Sequence, residues 1–272
     1  MAIQFTNLTV EFDKHFSVYD INWSVTDGEH WVIVGPNGAG KSALAAILTG
    51  EGIVQLGSVS GIPEKVEVVS FAVQAALINA ERRKDDADLI DVVARPTAVR
   101  DILSISTEAG QTTAALIDGF QIRHLLDEGF RNLSSGETRK VLLVKALSSK
   151  ADLLILDEPF EGLDKNSCEK LRVMLPEIAY GTQLVFVLNH FDEIPEFVTH
   201  VAYMDQQKLT HCLEYGDKTA MVSLRHLLHL KHPEIEMPPP DVAPRLPLID
   251  EGEPLVRLRR AKGAYGGKII FD

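Results

Sequence analysis

Cysteine is almost missing from the chain: Cys168 and Cys212 are the only two in 272 residues, and neither has metal-ligand spacing around it. That excludes a disulfide framework and a structural zinc centre, and both read as ordinary thiols. Also missing is any apolar run long enough to cross a bilayer, and the opening MAIQFTNLTVEF has neither a basic start nor an apolar signal core. The expected location is the cytosol, with a place at the inner face of the membrane only through a partner. Basic residues are in the minority, 27 Lys and Arg against 39 Asp and Glu. A net charge of −12 repels a polyanion and argues against nucleic acid as a partner. The dense basic runs, RRK at Arg82 to Lys84 and RLRR at Arg257 to Arg260, read as solvated faces.

What is present is an ordinary globular composition, 45% hydrophobic and 24% charged, enough for one domain or one and a half. Alternating apolar positions in IQFTNLTVEF and VYDINWSV predict strands, with the Asp27-Gly28 turn before the next one, WVIV. WVIV runs directly into a Gly-rich loop, and SALAAILTG follows as a helix closed by Gly50. VEVVS, LLIL and LVFVL read as further buried strands, and helices are expected near 112–120, 137–147 and 166–178. Strands separated by helices imply an α/β fold with a mainly parallel sheet. From about 75 to 150 the pattern turns helical, predicting an α-helical subdomain inserted into that core. From Lys231 to Glu253 the chain is rich in proline and acid, with Pro238 to Pro240 consecutive, and predicts an extended linker.

Two stretches carry chemistry. The first is GPNGAGKS, which meets the spacing Gly-x-x-x-x-Gly-Lys-Ser. Glycines at Gly35, Gly38 and Gly40 let the loop turn past Pro36, so that the backbone N–H groups of Asn37, Ala39 and their neighbours close around a β-phosphate. Lys41 reaches the β and γ oxygens, the Ser42 hydroxyl can ligate Mg²⁺, and Ala43 completes the loop on the helix. The second is LLILDEP, where an apolar strand ends in two acids that are costly to bury unless a cation or a proton transfer uses them. Asp157 is the candidate to hold Mg²⁺, and Glu158 the candidate to polarise an attacking water.

GPNGAGKS, SFAVQ, LSSGETRK, LLILDEP, EGLD and VLNHFDE stand in the order and approximate spacing of the ABC-type ATPase domain, which the chain resembles from Ala2 to about residue 230. The resemblance implies a P-loop NTPase fold with an ABC-type antiparallel β-subdomain, a RecA-like parallel core sheet and an inserted α-helical subdomain. It implies ATP and Mg²⁺ as ligands. Gln74 becomes a glutamine contacting Mg²⁺ and water, His190 a switch histidine touching the γ-phosphate, and Phe12 an aromatic stacked on adenine. Read from spacing alone, Phe12 is a core strand residue and His190 a surface histidine. Asp164 falls in a loop that crosses to a partner.

The same resemblance gives LSSGETRK its role. Ser134, Ser135, Gly136 and Glu137 would cap the γ-phosphate held by a second, head-to-tail domain, supplied by the same native chain or by a second copy. This stretch departs from the usual Leu-Ser-Gly-Gly-Gln. Ser135 adds a side chain where backbone should approach phosphate, and Glu137 adds a negative charge there, which slows turnover or is offset by Arg139 and Lys140. Ala43 also stands where threonine is commoner.

Within the family the chain is most similar to the N-terminal half of soluble tandem ATPases associated with molybdate transport or photorepair. Residues 254–272 mirror residues 2–20, with Tyr265 falling on Phe12, and are expected to begin a second, truncated ABC-type domain. The reading is therefore an ATPase subunit linked to transport, with a membrane permease as a further partner. Two rival readings stand beside it. One is a tandem ATPase acting on the ribosome or nucleic acid, against which DEPFEGLD and the proline-rich linker speak. The other is a non-hydrolysing nucleotide-sensing domain, against which Glu158 and His190 speak.

Overall fold

The computed structural model describes residues 2–14, 16–86, 96–103, 111–231, 263–265 and 268–271. The chain divides at Lys231 into two units, 1–231 and 232–272. The first begins with two long strands, β1 (Ile3–Asp13) and β2 (Phe16–Val25), paired antiparallel with Phe5 opposite Trp23 and Val10 opposite Val18. Their alternating apolar residues point to one side: Ile3, Phe5, Leu8, Val10, Val18, Ile21, Trp23 and Val25 are all buried. After β3 (Trp31–Val34) and the short helix α1 (Lys41–Ile47), β4 (Ile53–Ser60) joins the far edge of β1, giving a three-stranded sheet in the order β2-β1-β4.

The second layer is built on β5 (Val66–Val69), β6 (Leu153–Asp157), β7 (Gln183–Val187), β8 (His200–Asp205) and β9 (Lys208–Glu214). With β3 they make a six-stranded sheet in the order β5-β6-β7-β3-β8-β9, parallel except for the β8/β9 pair. Its central strands are buried on both faces, which is why they read as continuous apolar runs rather than alternations. Successive residues part company: Ile33, Leu153, Ile155, Val185 and Val187 join the core shared with β1, β2 and α1, while Val32, Val34, Leu154, Leu156, Leu184 and Phe186 join the core on the helical side.

Between β5 and β6 lie the inserted helices: α2 (Phe71–Asp86), the single turn α3 (Val99–Ile102), α4 (Gln111–Gly119) and α5 (Ser135–Ser148). The first of these helices starts at Phe71 and carries Gln74 within it. α6 (Lys165–Ala179) leads from β6 to β7, and α7 (Lys218–Lys231) ends the unit. Strands β4, β8 and β9 have no counterpart among the expected ones. β4 is exposed at nearly every position, including Ile53 and Leu56, so it shows no alternation to read.

Lys231, the first residue of the expected linker, is the last residue of α7, and the rest of that stretch lies outside the described residues. In the second unit an antiparallel hairpin pairs β10 (Gly263–Tyr265) with β11 (Lys268–Phe271), Tyr265 opposite Lys268. The strand expected from Leu255 onward falls, up to Lys262, outside the described residues.

Phe186 is fully buried at the middle of β7, whereas Tyr180 just before it is 95% exposed. In urea denaturation of the unliganded protein, Phe186→Ala is expected to cost about 3–5 kcal/mol. Tyr180→Ala should stay within about 0.5 kcal/mol.

Candidate active site at the ends of β3 and β6

The phosphate loop leaves the end of β3 and turns sharply at Gly35 (φ 153°), where a Cβ would lie 2.1 Å from the Met204 carbonyl oxygen on β8. Only glycine passes there. The loop is braced from the β8/β9 turn: Gln207 donates its backbone N–H to Ala39 O at 3.1 Å and its side-chain amide to Gly38 O at 3.0 Å. α1 then begins with Lys41 and has no acid in its first turn and no side-chain cap, so its positive end is not offset locally. Lys41 Nζ donates to the carbonyls of Gly35 and Pro36 at 3.0 and 3.2 Å.

β6 delivers the acids to the same place. Asp157 accepts a hydrogen bond from Ser42, and burial raises its pKa against that bond and against the charges of Arg139 and Lys41. Glu158 is buried in a left-handed backbone conformation (φ 49°), uncommon for a non-glycine residue. Burial, with Glu161, Asp157 and Glu193 nearby, pushes its pKa up to about 7, and Lys41 only partly opposes this. Lys41 in turn is lowered by burial, with Glu158 and Asp157 opposing.

Together these groups line a cleft of about 480 Å³ bounded by Phe16, Asn37, Gly38, Gly40, Lys41, Ser42, Ala43, Asp157, Glu158, Val187 and Asn189. A triphosphate and a divalent cation suit this lining. Glu158 Oε1 is buried with no hydrogen-bond partner among the described residues, and the loop backbone is shaped by glycines. Among the described residues no group of three or more His, Cys, Asp or Glu could hold a metal ion. Mg²⁺ fits that pattern, because it takes one or two protein oxygens, here Ser42 and Asp157, and fills its shell with phosphate and water.

Other expected residues lie around the cleft rather than in it. Phe16 lines it, while Phe12 stands beside Phe16 with ring centroids 6.2 Å apart. Two aromatics four residues apart across the β1/β2 turn were the available signal for Phe16. Gln74 is buried in α2 and donates to the Ser135 carbonyl at 3.2 Å. His190 is exposed after β7, next to the cleft residue Asn189.

The turn at Ser134 to Glu137 in LSSGETRK, the signature turn, caps α5. Ser134 accepts from Glu137 N–H, while the Glu137 carboxylate accepts from the Ser134 N–H and hydroxyl at 2.8 and 2.7 Å. Those bonds hold the Glu137 carboxyl below its ordinary pKa, with His124 and Lys140 adding to the effect. Arg139 does not offset Glu137, contrary to the expectation: it is buried and donates to the carbonyls of Asp157 and Glu158. Lys140 pairs with Asp164 at 2.5 Å, and Asp164 also caps α6 by accepting from Ser167 N–H at 2.9 Å. Gly136 lies close under the same loop, since a Cβ on it would come within 3.3 Å of Gly162 O.

A strand, phosphate loop and helix facing a second strand that ends in adjacent acids define a P-loop nucleotide-binding protein. The model of the ABC transporter family matches residues 18–161, and the chain belongs to that family of ATP-binding subunits. It is 35% identical over 254 residues to the ABC transporter ATP-binding protein ModF of Escherichia coli K12, covering 90% of this chain and 51% of ModF. The chain thus spans about half the length of that relative. An uncharacterized ABC transporter ATP-binding protein of Bacillus subtilis, YlmA, is 30% identical over 71% of this chain and 78% of its own length. A solved ATP-binding subunit of an ABC transporter superposes with a TM-score of 0.67 at 18% identity over 85% of this chain and 99% of its own, a likeness of fold. Among the described residues no helix is long and apolar enough to cross a membrane.

The raised pKa of Glu158 has a sign that can be checked. The folded protein holds this proton more tightly than the unfolded chain, whose glutamate titrates near 4.5, so the protonated carboxyl's stability is present below that value and lost as pH rises through about 7. In metal-free and nucleotide-free protein, Glu158→Gln should therefore gain about 1–2 kcal/mol on the wild type between pH 4.5 and pH 8. Urea midpoints at both pH values measure it.

Proposed function

We propose that the chain binds Mg·ATP in this cleft and hydrolyses it as one half of a head-to-tail pair of ATPase domains coupled to transport. The observation that carries the reading is the meeting of Lys41 and Ser42 from α1 with Asp157 and Glu158 from β6 in one cleft. Backbone N–H groups of the 35–42 loop bind phosphate oxygens, and Lys41 exchanges its two carbonyl partners for the β and γ oxygens. Ser42 and Asp157 hold Mg²⁺, which when bound supplies charge neutralisation at those oxygens. Glu158, with a pKa near neutrality, orients the attacking water and takes its proton. Adenine stacks at the aromatic pair Phe12 and Phe16.

Gln74 and His190 serve the site from its margin, Gln74 after leaving the Ser135 carbonyl to which it is bonded. Ser134, Ser135, Gly136 and Glu137 face the nucleotide of the second domain, with Asp164 beside them on the same surface. The length of ModF, of which this chain spans about half, supports a second domain beginning near residue 254 in one native chain, and pairing of two copies is the alternative. Tyr265 is the last residue of β10, much as Phe12 lies near the end of β1. A membrane permease is the proposed output, and a molybdate-like oxyanion the cargo suggested by resemblance.

Steady-state hydrolysis and titration with a fluorescent ATP analogue test the reading. Glu158→Gln should lower turnover about 10²- to 10⁴-fold and leave nucleotide binding intact. Lys41→Ala should weaken binding itself, because it removes a charge-assisted contact to phosphate. Unchanged turnover in Glu158→Gln would remove that residue from its role. Specific activity that rises with protein concentration supports pairing of copies, and concentration-independent activity in a monomer counts against it.

A further inference from the structure

Arg139 is 1% exposed, the largest of the fully buried side chains among the described residues. From the second turn of α5 it reaches the end of β6, where Nη2 donates to both the Asp157 and Glu158 carbonyls, at 2.8 and 2.7 Å. Phe71 of α2 covers the guanidinium at 4.5 Å from its ring centroid. Nε and Nη1 have no hydrogen-bond partner among the described residues. Burying such a group is expensive, and an apolar side chain would fill the same space at lower cost, so stability alone is a poor reason for it.

The turn it grips is the unusual one. Glu158 adopts the left-handed conformation with both backbone groups engaged: its N–H donates to Val187 O at 3.0 Å, and its carbonyl accepts from Arg139. That conformation brings the side chain into the cleft lining. We propose that Arg139 is a positioning residue, which fixes the Glu158 carboxylate in the cleft by tying the Asp157–Glu158 backbone to the helix that begins at the signature turn. The inference rests on the ATPase reading, because it assigns Glu158 to the water.

The test measures kcat, KM and ATP-analogue affinity for the wild type, Arg139→Met, Arg139→Lys, Glu158→Gln and the Arg139→Met/Glu158→Gln pair. Arg139→Met should lower kcat about 10- to 100-fold, the scale of a misplacement near 1 Å, with affinity within about 2-fold. Arg139→Lys, one bond shorter, should recover part of the loss. In the Glu158→Gln background Arg139→Met should change kcat by less than about 2-fold, because its partner in the reaction is already gone. Should Arg139→Met fail to fold, Arg139→Lys and an Arg139→Lys/Glu158→Gln pair carry both comparisons. The proposal is overturned by wild-type kcat in both Arg139 variants, or by an equal loss with and without the Glu158 carboxylate. A wild type that binds ATP but never hydrolyses it overturns the ATPase reading and this inference with it; active wild type with unaffected Arg139 variants overturns this inference alone.

Discussion

Two carboxylates stand next to each other at the end of β6, where a strand buried on both faces meets the cleft, and the cost of burying them sets the terms for the residues around them. Asp157 is relieved by the Ser42 hydrogen bond and by the charges of Arg139 and Lys41. Glu158 has fewer such offsets: burial and three neighbouring acids outweigh Lys41, and its pKa moves to about 7. Adjacent acids of one chemical type thereby meet different surroundings, which is the basis for proposing a cation ligand at Asp157 and a base at Glu158. The difference comes from environment, since the two side chains differ by a single methylene.

How much of this is legible in the sequence depends on how local each cause is. The phosphate loop needs a strand, glycines at fixed offsets, Lys and Ser, all within the twelve residues from Trp31 to Ser42, where β3, a loop and the start of α1 follow one another. The β6 acids are equally local. Helices α4, α5 and α6 agree with their apolar periodicity to within about two residues at each end. By contrast, β4 was hidden because an exposed edge strand need not alternate, and Gln207 because its service to the loop depends on β8 and β9 folding back beneath it. Arg139 was hidden most completely. In a helix written SGETRKVLLVKALS it reads as one of three cations, and its burial follows from α2 laying Phe71 across it, a contact spanning most of the inserted subdomain.

The charge at Glu137 shows the same dependence on context. As a residue type it is an unwelcome anion beside a phosphate-binding turn. In the fold it is the third residue of α5 and completes a reciprocal cap with Ser134, which satisfies backbone groups at the helix start. The cap carries a local gain, about 0.5–2 kcal/mol for such devices, and it lowers the positive potential at the helix end where an anion from a second domain would dock. A turn built this way is well ordered but less attractive to phosphate than one capped by a neutral side chain. The tie from Lys140 to Asp164 adds to the order by fastening α5 to the start of α6.

α5 therefore connects two kinds of chemistry over little more than one turn of helix. Its first residues form the surface proposed to meet a nucleotide in another domain, and Arg139, five positions after Ser134, grips the backbone of Glu158, which lines the cleft of this one. A helix segment of that length is stiff, because each backbone hydrogen bond spans most of it, so a shift of the signature turn cannot easily be absorbed before it reaches Arg139. The same turn also holds the Gln74 side chain through the Ser135 carbonyl. In the proposed reading, docking at the start of α5 and the placing of Glu158 and Gln74 are therefore mechanically joined, through Arg139 and the Ser135 carbonyl.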